Sequence, residues 1–171
     1  MADTTPWLTD EQQKVWRALL QLTTRLPARL NRQLQEDSGL SLADVDVLVG
    51  LTDVPDGRVR VTGLARALGW ERSRLSHQVA RMTRAGLVRR EACEDDGRGS
   101  YVAVTDAGRA ALAEAAPAHV ALARELVVDA LTGEELGRLG ALVDGVLDRI
   151  DDPSGPGRSR GAAAPAGPGL E

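Results

Sequence analysis

Residues 64–112 read LARALGWERSRLSHQVARMTRAGLVRREACEDDGRGSYVAVTDAGRAAL. Within them Leu75, Val79 and Met82 recur at i, i+4 and i+7, which is one face of a helix. That spacing predicts a helix from about Arg72 to Ala85, stopped by Gly86. A shorter helix, roughly Thr62 to Leu68, precedes it and ends at Gly69. Only Trp70 and Glu71 or so separate the two, a tight turn of helix-turn-helix type. Two strands follow, Leu87 to Cys93 and Ser100 to Thr105, joined by the tip EDDGRG. A hairpin directly after a helix-turn-helix is the winged-helix arrangement.

Further helices flank this core on both sides. Upstream, Thr9 and Gln12 form a capping box for a first helix that runs to about Glu36. Its apolar stripe is Trp16, Leu19, Leu20, Leu26 and Leu30, and Pro27 inside it predicts a kink. Ser41 and Asp44 box a second helix carrying Leu42, Val45, Leu48 and Val49, and the loop TDVPDG leads on to a short strand, Arg58 to Val61. Downstream, Thr105 caps an Ala-rich helix to about Ala130, with Leu112, Ala116, His119, Leu122 and Leu126 along one side and a second bend predicted at Pro117. Thr132 and Glu135 box the last helix, whose Leu136, Leu139, Val143, Val146 and Ile150 make a narrow seam suited to another helix. The expected order is α-α-β-α-α-β-β-α-α, mainly α with a small β-wing. Residues 41–104 form the winged-helix region, and residues 8–36 and 105–150 form helical flanks. The stretch 151–171, with 13 Gly, Pro or Ala in 21 residues, reads as a disordered tail.

Composition narrows the function. At 171 residues and 43% apolar, the chain can bury one core. Three Trp, one Tyr and no Phe disfavour single-strand binders that stack bases on aromatic rings. No apolar run approaches the roughly 18 residues of a membrane span, and MADTTPWLTDEQQK lacks a basic-then-apolar signal. One Cys makes neither an internal disulfide nor a zinc cage, so the expectation is a soluble, reduced, cytoplasmic protein with no metal and no cofactor. The net charge of −4 conceals a strong asymmetry. Residues 58–110 hold 11 Arg against 6 acidic residues, for +5, and the rest of the chain carries −9. A basic middle between acidic flanks points to an anionic partner at one surface.

The helix from Arg72 presents the groups such a partner would meet. Opposite its apolar face lie Ser73, His77, Arg81 and Arg84, with Arg72, Arg74 and Ser76 near its start. Hydroxyls, an imidazole and guanidiniums are the donors and acceptors that read base edges and grip phosphates in a major groove. At the wing tip, Arg98 on a Gly-flanked turn can enter a minor groove, and Asp96 beside it can hold the guanidinium in one orientation. The same residues also fit an ordinary hairpin turn, since Asp and Gly are common there.

The segments LSHQVARMTRAGLV and DDGRGSYVAVTDAGR, at this separation and with flanking helices in this order, resemble the MarR family of bacterial transcriptional regulators over about residues 8–150. The resemblance implies a homodimer whose terminal helices form the interface, on a pseudo-palindromic double-stranded DNA operator. It implies base-facing roles for Ser76 and His77, a backbone contact for Arg81, and a minor-groove role for Arg98 braced by Asp96; Arg72, Ser73 and Arg74 carry over less directly. Many relatives take a small aromatic or acidic ligand in a cleft, which Trp16, Trp70 or His119 could line here. The oxidant-sensing relatives carry a reactive Cys in the first helix, which this chain lacks; Cys93 reads as a small half-buried residue. His119 has no second His or Cys at ligand spacing and reads as a core or interface histidine.

Two rivals remain. An enzyme would need a phosphate loop, HExxH, GxSxG or a secluded carboxylate pair, and the sequence has none of these. A winged helix used only for protein contact would carry apolar or acidic groups in place of the exposed Arg, Ser and His face.

Overall fold

The computed structural model describes residues 7–92 and 100–152, which include six α-helices and a three-stranded sheet. The order is α1 (Asp10–Ser38), α2 (Leu42–Thr52), β1 (Arg58–Arg60), α3 (Val61–Ala67), α4 (Arg72–Arg84), β2 (Val88–Ala92), β3 (Ser100–Val104), α5 (Asp106–Ala123) and α6 (Gly133–Asp151). This is the expected mainly helical winged-helix fold. The chain forms two compact units, Met1–Arg124 and Glu125–Glu171.

In the first unit α2 is the central element, in contact with α1, α3, α4, α5, β1 and β3. Its sequence LADVDVLVGLT is apolar on most sides, as a helix surrounded by neighbours must be. Val45, Val47, Leu48 and Leu51 are buried, whereas Val49, grouped above with Val45 and Leu48, is 40% exposed. When a helix is apolar nearly all round, its period does not say which side faces out. Around it pack Leu34, Leu64, Leu75, Val79, Met82, Val88 and Val102, all essentially inaccessible. The sheet order is β1-β3-β2, both pairs antiparallel, with Val59 opposite Val102 and Val88 opposite Val104.

Short polar signals set the element ends. All three capping boxes are made, at Thr9–Gln12, Ser41–Asp44 and Thr132–Glu135. The exposed Glu135 carboxyl lies below its ordinary pKa because the Thr132 backbone and side-chain donors favour its charged form. After α3 and after α4 the chain turns through a left-handed glycine. Trp70 N–H donates to the Ala65 carbonyl (2.8 Å) and Leu87 N–H to that of Met82 (3.0 Å), each closing a Schellman turn. The turn between α3 and α4 therefore needs Gly69, at φ 63°.

The helix that follows the hairpin ends earlier than expected. The α-helical part of α5 stops at Ala123, and Arg124–Val128 continue in π-helical geometry in place of an α-helix to Ala130. α1 and α5 both run through their prolines. Pro27 and Pro117 sit on exposed faces, as do Thr23 and Ala113, whose carbonyls lose a donor and can turn to water. In the second unit α6 has no buried residue, and Leu136, Leu139, Leu142, Val143, Val146, Leu147 and Ile150 are all exposed. In the first unit the same holds for the first half of α1, where Val15, Trp16, Leu19 and Leu20 are exposed.

Thr105 joins three elements. Its hydroxyl lies 2.7 Å from the Gly86 carbonyl and 2.9 Å from that of Leu87, and its oxygen accepts the Gly108 N–H (3.0 Å). At Gly108 an added Cβ would come within 2.1 Å of the Leu87 carbonyl oxygen, a backbone atom that cannot swing aside. Gly108→Ala is expected to cost about 1–3 kcal/mol by overpacking. Urea denaturation checks this, and an unchanged midpoint would refute the close approach.

Candidate nucleic-acid interface

The two faces of α4 have separate tasks. Leu75, Val79 and Met82 are fully buried, and Arg72, Ser73, Arg74, His77, Arg81 and Arg84 are exposed, with Ser76 half-buried. This is the division that the 3.6-residue period predicts. Asp96, Arg98, Cys93 and the rest of the tip lie outside the described residues, as does the stretch 153–171.

Three of the arginines near this face are held by their neighbours. The first is Arg74, whose guanidinium carbon lies 4.1 Å from the centre of the Trp70 ring, a cation–π stack across the turn. Trp70, considered above as a cleft residue, is thereby a platform for a side chain of α4. The second is Arg90 on β2, which donates from Nη2 to the Ser76 carbonyl (3.1 Å) and ties the hairpin to α4. Arg90 was not among the residues singled out from the sequence. In a strand rich in charge, nothing local distinguishes it from Arg89.

The third is Arg81, and its anchor is the most deeply buried polar side chain among the described residues. Asp44 on α2 is only 1% exposed. Its Oδ2 accepts the Ser41 N–H (2.8 Å) and hydroxyl (2.6 Å), and its Oδ1 accepts Gln78 Nε2 (2.8 Å) and Arg81 Nη2 (2.6 Å). The same Nη2 reaches Ser41 Oγ at 3.1 Å. A carboxylate removed from water needs such a full set of donors. The Arg81 side chain is nevertheless 49% exposed, so part of its guanidinium stays open to an anion. Sequence reading gave Arg81 a phosphate contact and Asp44 a cap. The structure places the two side chains in one ion pair.

Asp46, half-buried on the same helix, has its carboxyl pushed above the ordinary value by burial, an effect opposed by the charges of Arg74 and His119. His119 borders a small cavity of about 140 Å³ between α2 and α5, lined also by Val45, Val49, Leu112, Ala115, Ala116 and Val120. Its Nδ1 is buried with no hydrogen-bond partner among the described residues. Trp16, the other aromatic considered for a cleft, stands exposed on α1. Among the described residues no three His, Cys, Asp or Glu side chains group to hold a metal. No helix among them is long and apolar enough to cross a membrane.

Arg81→Ala removes the charged donor from the Asp44 carboxylate and should cost about 1–2 kcal/mol of stability, because the Ser41 and Gln78 donors that remain at the buried group are neutral. A double-mutant cycle with Asp44→Asn, read by urea denaturation, is expected to give a coupling above about 1 kcal/mol. Strict additivity would mean that the pair carries no interaction energy.

The chain is similar to known proteins over most of its length. The family model described as MarR family matches residues 38–99. Sco3205, a MarR family transcriptional regulator from Streptomyces coelicolor solved in complex with DNA, is 40% identical, with 90% of this chain and 96% of that chain covered and a TM-score of 0.84. AbsC, from the same organism, is 38% identical over 85% of this chain and 98% of its own, with a TM-score of 0.80. The MosR regulator of M. tuberculosis, also solved with DNA, is 26% identical over 79% and 96%, with a TM-score of 0.62. No curated protein matches the chain. Identity of 40% across nine-tenths of the chain, with a TM-score of 0.84, establishes that the protein belongs to the MarR family of transcriptional regulators.

Proposed function

We propose that the protein is a sequence-specific regulator that binds a pseudo-palindromic duplex operator as a homodimer in the cytoplasm, acting as a repressor by excluding polymerase. The observation that carries this reading is the outward face of α4, where hydroxyls, an imidazole and guanidiniums stand exposed over a fully buried apolar face. Two relatives, Sco3205 and MosR, were solved in complex with DNA. In this reading α4 enters the major groove, Ser76 and His77 face bases, and Arg72, Ser73, Arg74 and Arg84 supply further base and phosphate contacts. Arg81, held by Asp44, offers the open part of its guanidinium to a phosphate. Arg98, oriented by Asp96, enters the minor groove. The helical regions 8–36 and 105–150 supply the dimer interface, which the exposed apolar stripes on α1 and α6 support. Ligand control belongs to the cavity beside His119, since an apolar space of about 150 Å³ accepts one aromatic ring.

Operator fragments recovered by selection from genomic DNA are the probe for the first test. Titration by fluorescence anisotropy should give a log–log salt slope of roughly −5 to −9, from some 6–10 phosphate contacts. His77→Ala should relax preference at one or two base pairs per half-site, by about 1–3 kcal/mol each. Arg98→Ala should lose more on A·T-flanked than on G·C-flanked duplexes. A flat salt response without base discrimination would assign α4 to protein contact in place of DNA.

A second test addresses the dimer. Sedimentation should give twice the 18.1 kDa chain mass. Leu139→Asp with Val143→Asp should abolish that species, because charge enters a dry seam. A folded wild-type monomer at micromolar concentration would refute the dimer.

A further inference from the structure

The antiparallel register puts Arg58 and Arg60 of β1, Tyr101 and Ala103 of β3, and Arg89 and Glu91 of β2 on one face of the sheet. The opposite face carries Val59, Val88, Val102 and Val104 into the core. Among the described residues the outward face thus holds three guanidiniums against one carboxylate. They form one organised array. The guanidinium carbons of Arg58 and Arg60 each lie 5.3 Å from the Tyr101 ring centre, and Arg60 Nε donates to the Tyr101 hydroxyl at 3.1 Å. Glu91 takes Arg89 at 2.8 Å and Arg58 at 3.5 Å. Arg58 and Arg89 still expose about half of their side chains, 52% and 58%.

We propose that this outward sheet face is a second phosphate-binding surface, taking the sugar–phosphate backbone of duplex that flanks the operator. The proposal rests on the DNA-binding reading above and extends its footprint. Three observations favour a nucleic-acid backbone over an acidic protein. First, Arg90, whose side chain leaves β2 on the opposite face from Arg89, is bonded to the Ser76 carbonyl, so the strand that carries Arg89 runs beside the helix assigned to the groove. Second, Arg58 and Arg60 stand two residues apart on an extended strand, about 7 Å, which is the step between successive phosphates along one strand of a duplex. Third, Tyr101 is the only large apolar body on the face among the described residues, and its ring is already occupied by guanidiniums. A protein interface would need an apolar anchor that this surface does not offer. Guanidiniums already ordered by Tyr101 and Glu91 lose little side-chain freedom when phosphates arrive.

The test uses the full chain and two duplexes built on the selected operator fragment, one trimmed to the operator and one extended by about ten base pairs of arbitrary sequence on each side. Arg58→Ala with Arg89→Ala should weaken the extended duplex about tenfold or more at moderate salt and flatten its log–log salt slope by roughly 2–4, since each of two protomers gives up two phosphate-neutralising guanidiniums. Affinity for the trimmed duplex should stay within about twofold. Arg58→Lys with Arg89→Lys should restore most of the loss, because charge is the main requirement. Glu91→Gln should tighten the extended duplex alone, a gain that misfolding cannot imitate. Equal losses on both duplexes would mean that the variant acts through the fold, and no loss on either would mean that the face is merely solvated; each overturns the proposal. So would loss of binding to polyglutamate with no change on DNA, which would assign the face to an acidic protein. If the wild-type chain bound neither duplex, the DNA-binding reading would fall first and this extension with it.

Discussion

The Asp44 carboxylate is the point on which the geometry of the exposed face of α4 depends. Two of its acceptor sites close the first turn of α2, and the other two hold Gln78 and Arg81 of α4. α2 is the helix that nearly every other element of its unit touches. The ion pair therefore fixes the position of α4 against the middle of the core, and the apolar contacts of Leu75, Val79 and Met82 set how deeply it is seated. Apolar packing alone tolerates small slides of a helix along its axis. A charged group buried at 1% exposure does not, because a slide would leave it unpaired in a medium that penalises it heavily. Specific readout of base edges needs that kind of fixed register.

The cationic face around α4 is held in the same way at other points. Arg74 rests on Trp70, Arg90 is bonded to the Ser76 carbonyl, and the Thr105 hydroxyl sits between the Gly86 and Leu87 carbonyls in the turn from α4 to β2. Each of these uses a side chain of one element to fix the backbone or a side chain of the next. The result is a cationic surface whose groups are ordered before any partner arrives, so less conformational entropy remains to be lost on binding.

What could be read from the sequence follows from the range of each signal. The capping boxes at Thr9, Ser41 and Thr132, the glycine stops at Gly69 and Gly86 and the buried face of α4 all depend on residues within one or two turns. All were legible. The Asp44–Arg81 pair joins residues 37 apart, and Gln78 lies 34 from Asp44. Capping chemistry explains Asp44 so completely that a second role left no trace in the local pattern. The end of α5 was misjudged for a related reason. The residues after Ala123 remain good helix formers, and the change to π geometry at Arg124 coincides with the boundary between compact units, which composition does not mark. The exposure of Val49 was hidden by the apolar surface of α2 on every side.

The charge distribution completes the physical picture. A chain with −4 overall gains little from long-range attraction to a polyanion, and its acidic flanks repel phosphate wherever they approach it. Attraction is confined to the basic middle, where Arg72, Arg74, Arg81 and Arg84 lie on α4 and Arg58, Arg60 and Arg89 on the outward sheet face. On α4, Arg81 is already paired with the Asp44 carboxylate, which leaves it less free charge to offer a random duplex. Non-specific affinity, which depends on simple phosphate neutralisation, is held down by both features. Affinity for a matched site depends on geometry and keeps the benefit of the ordered groups.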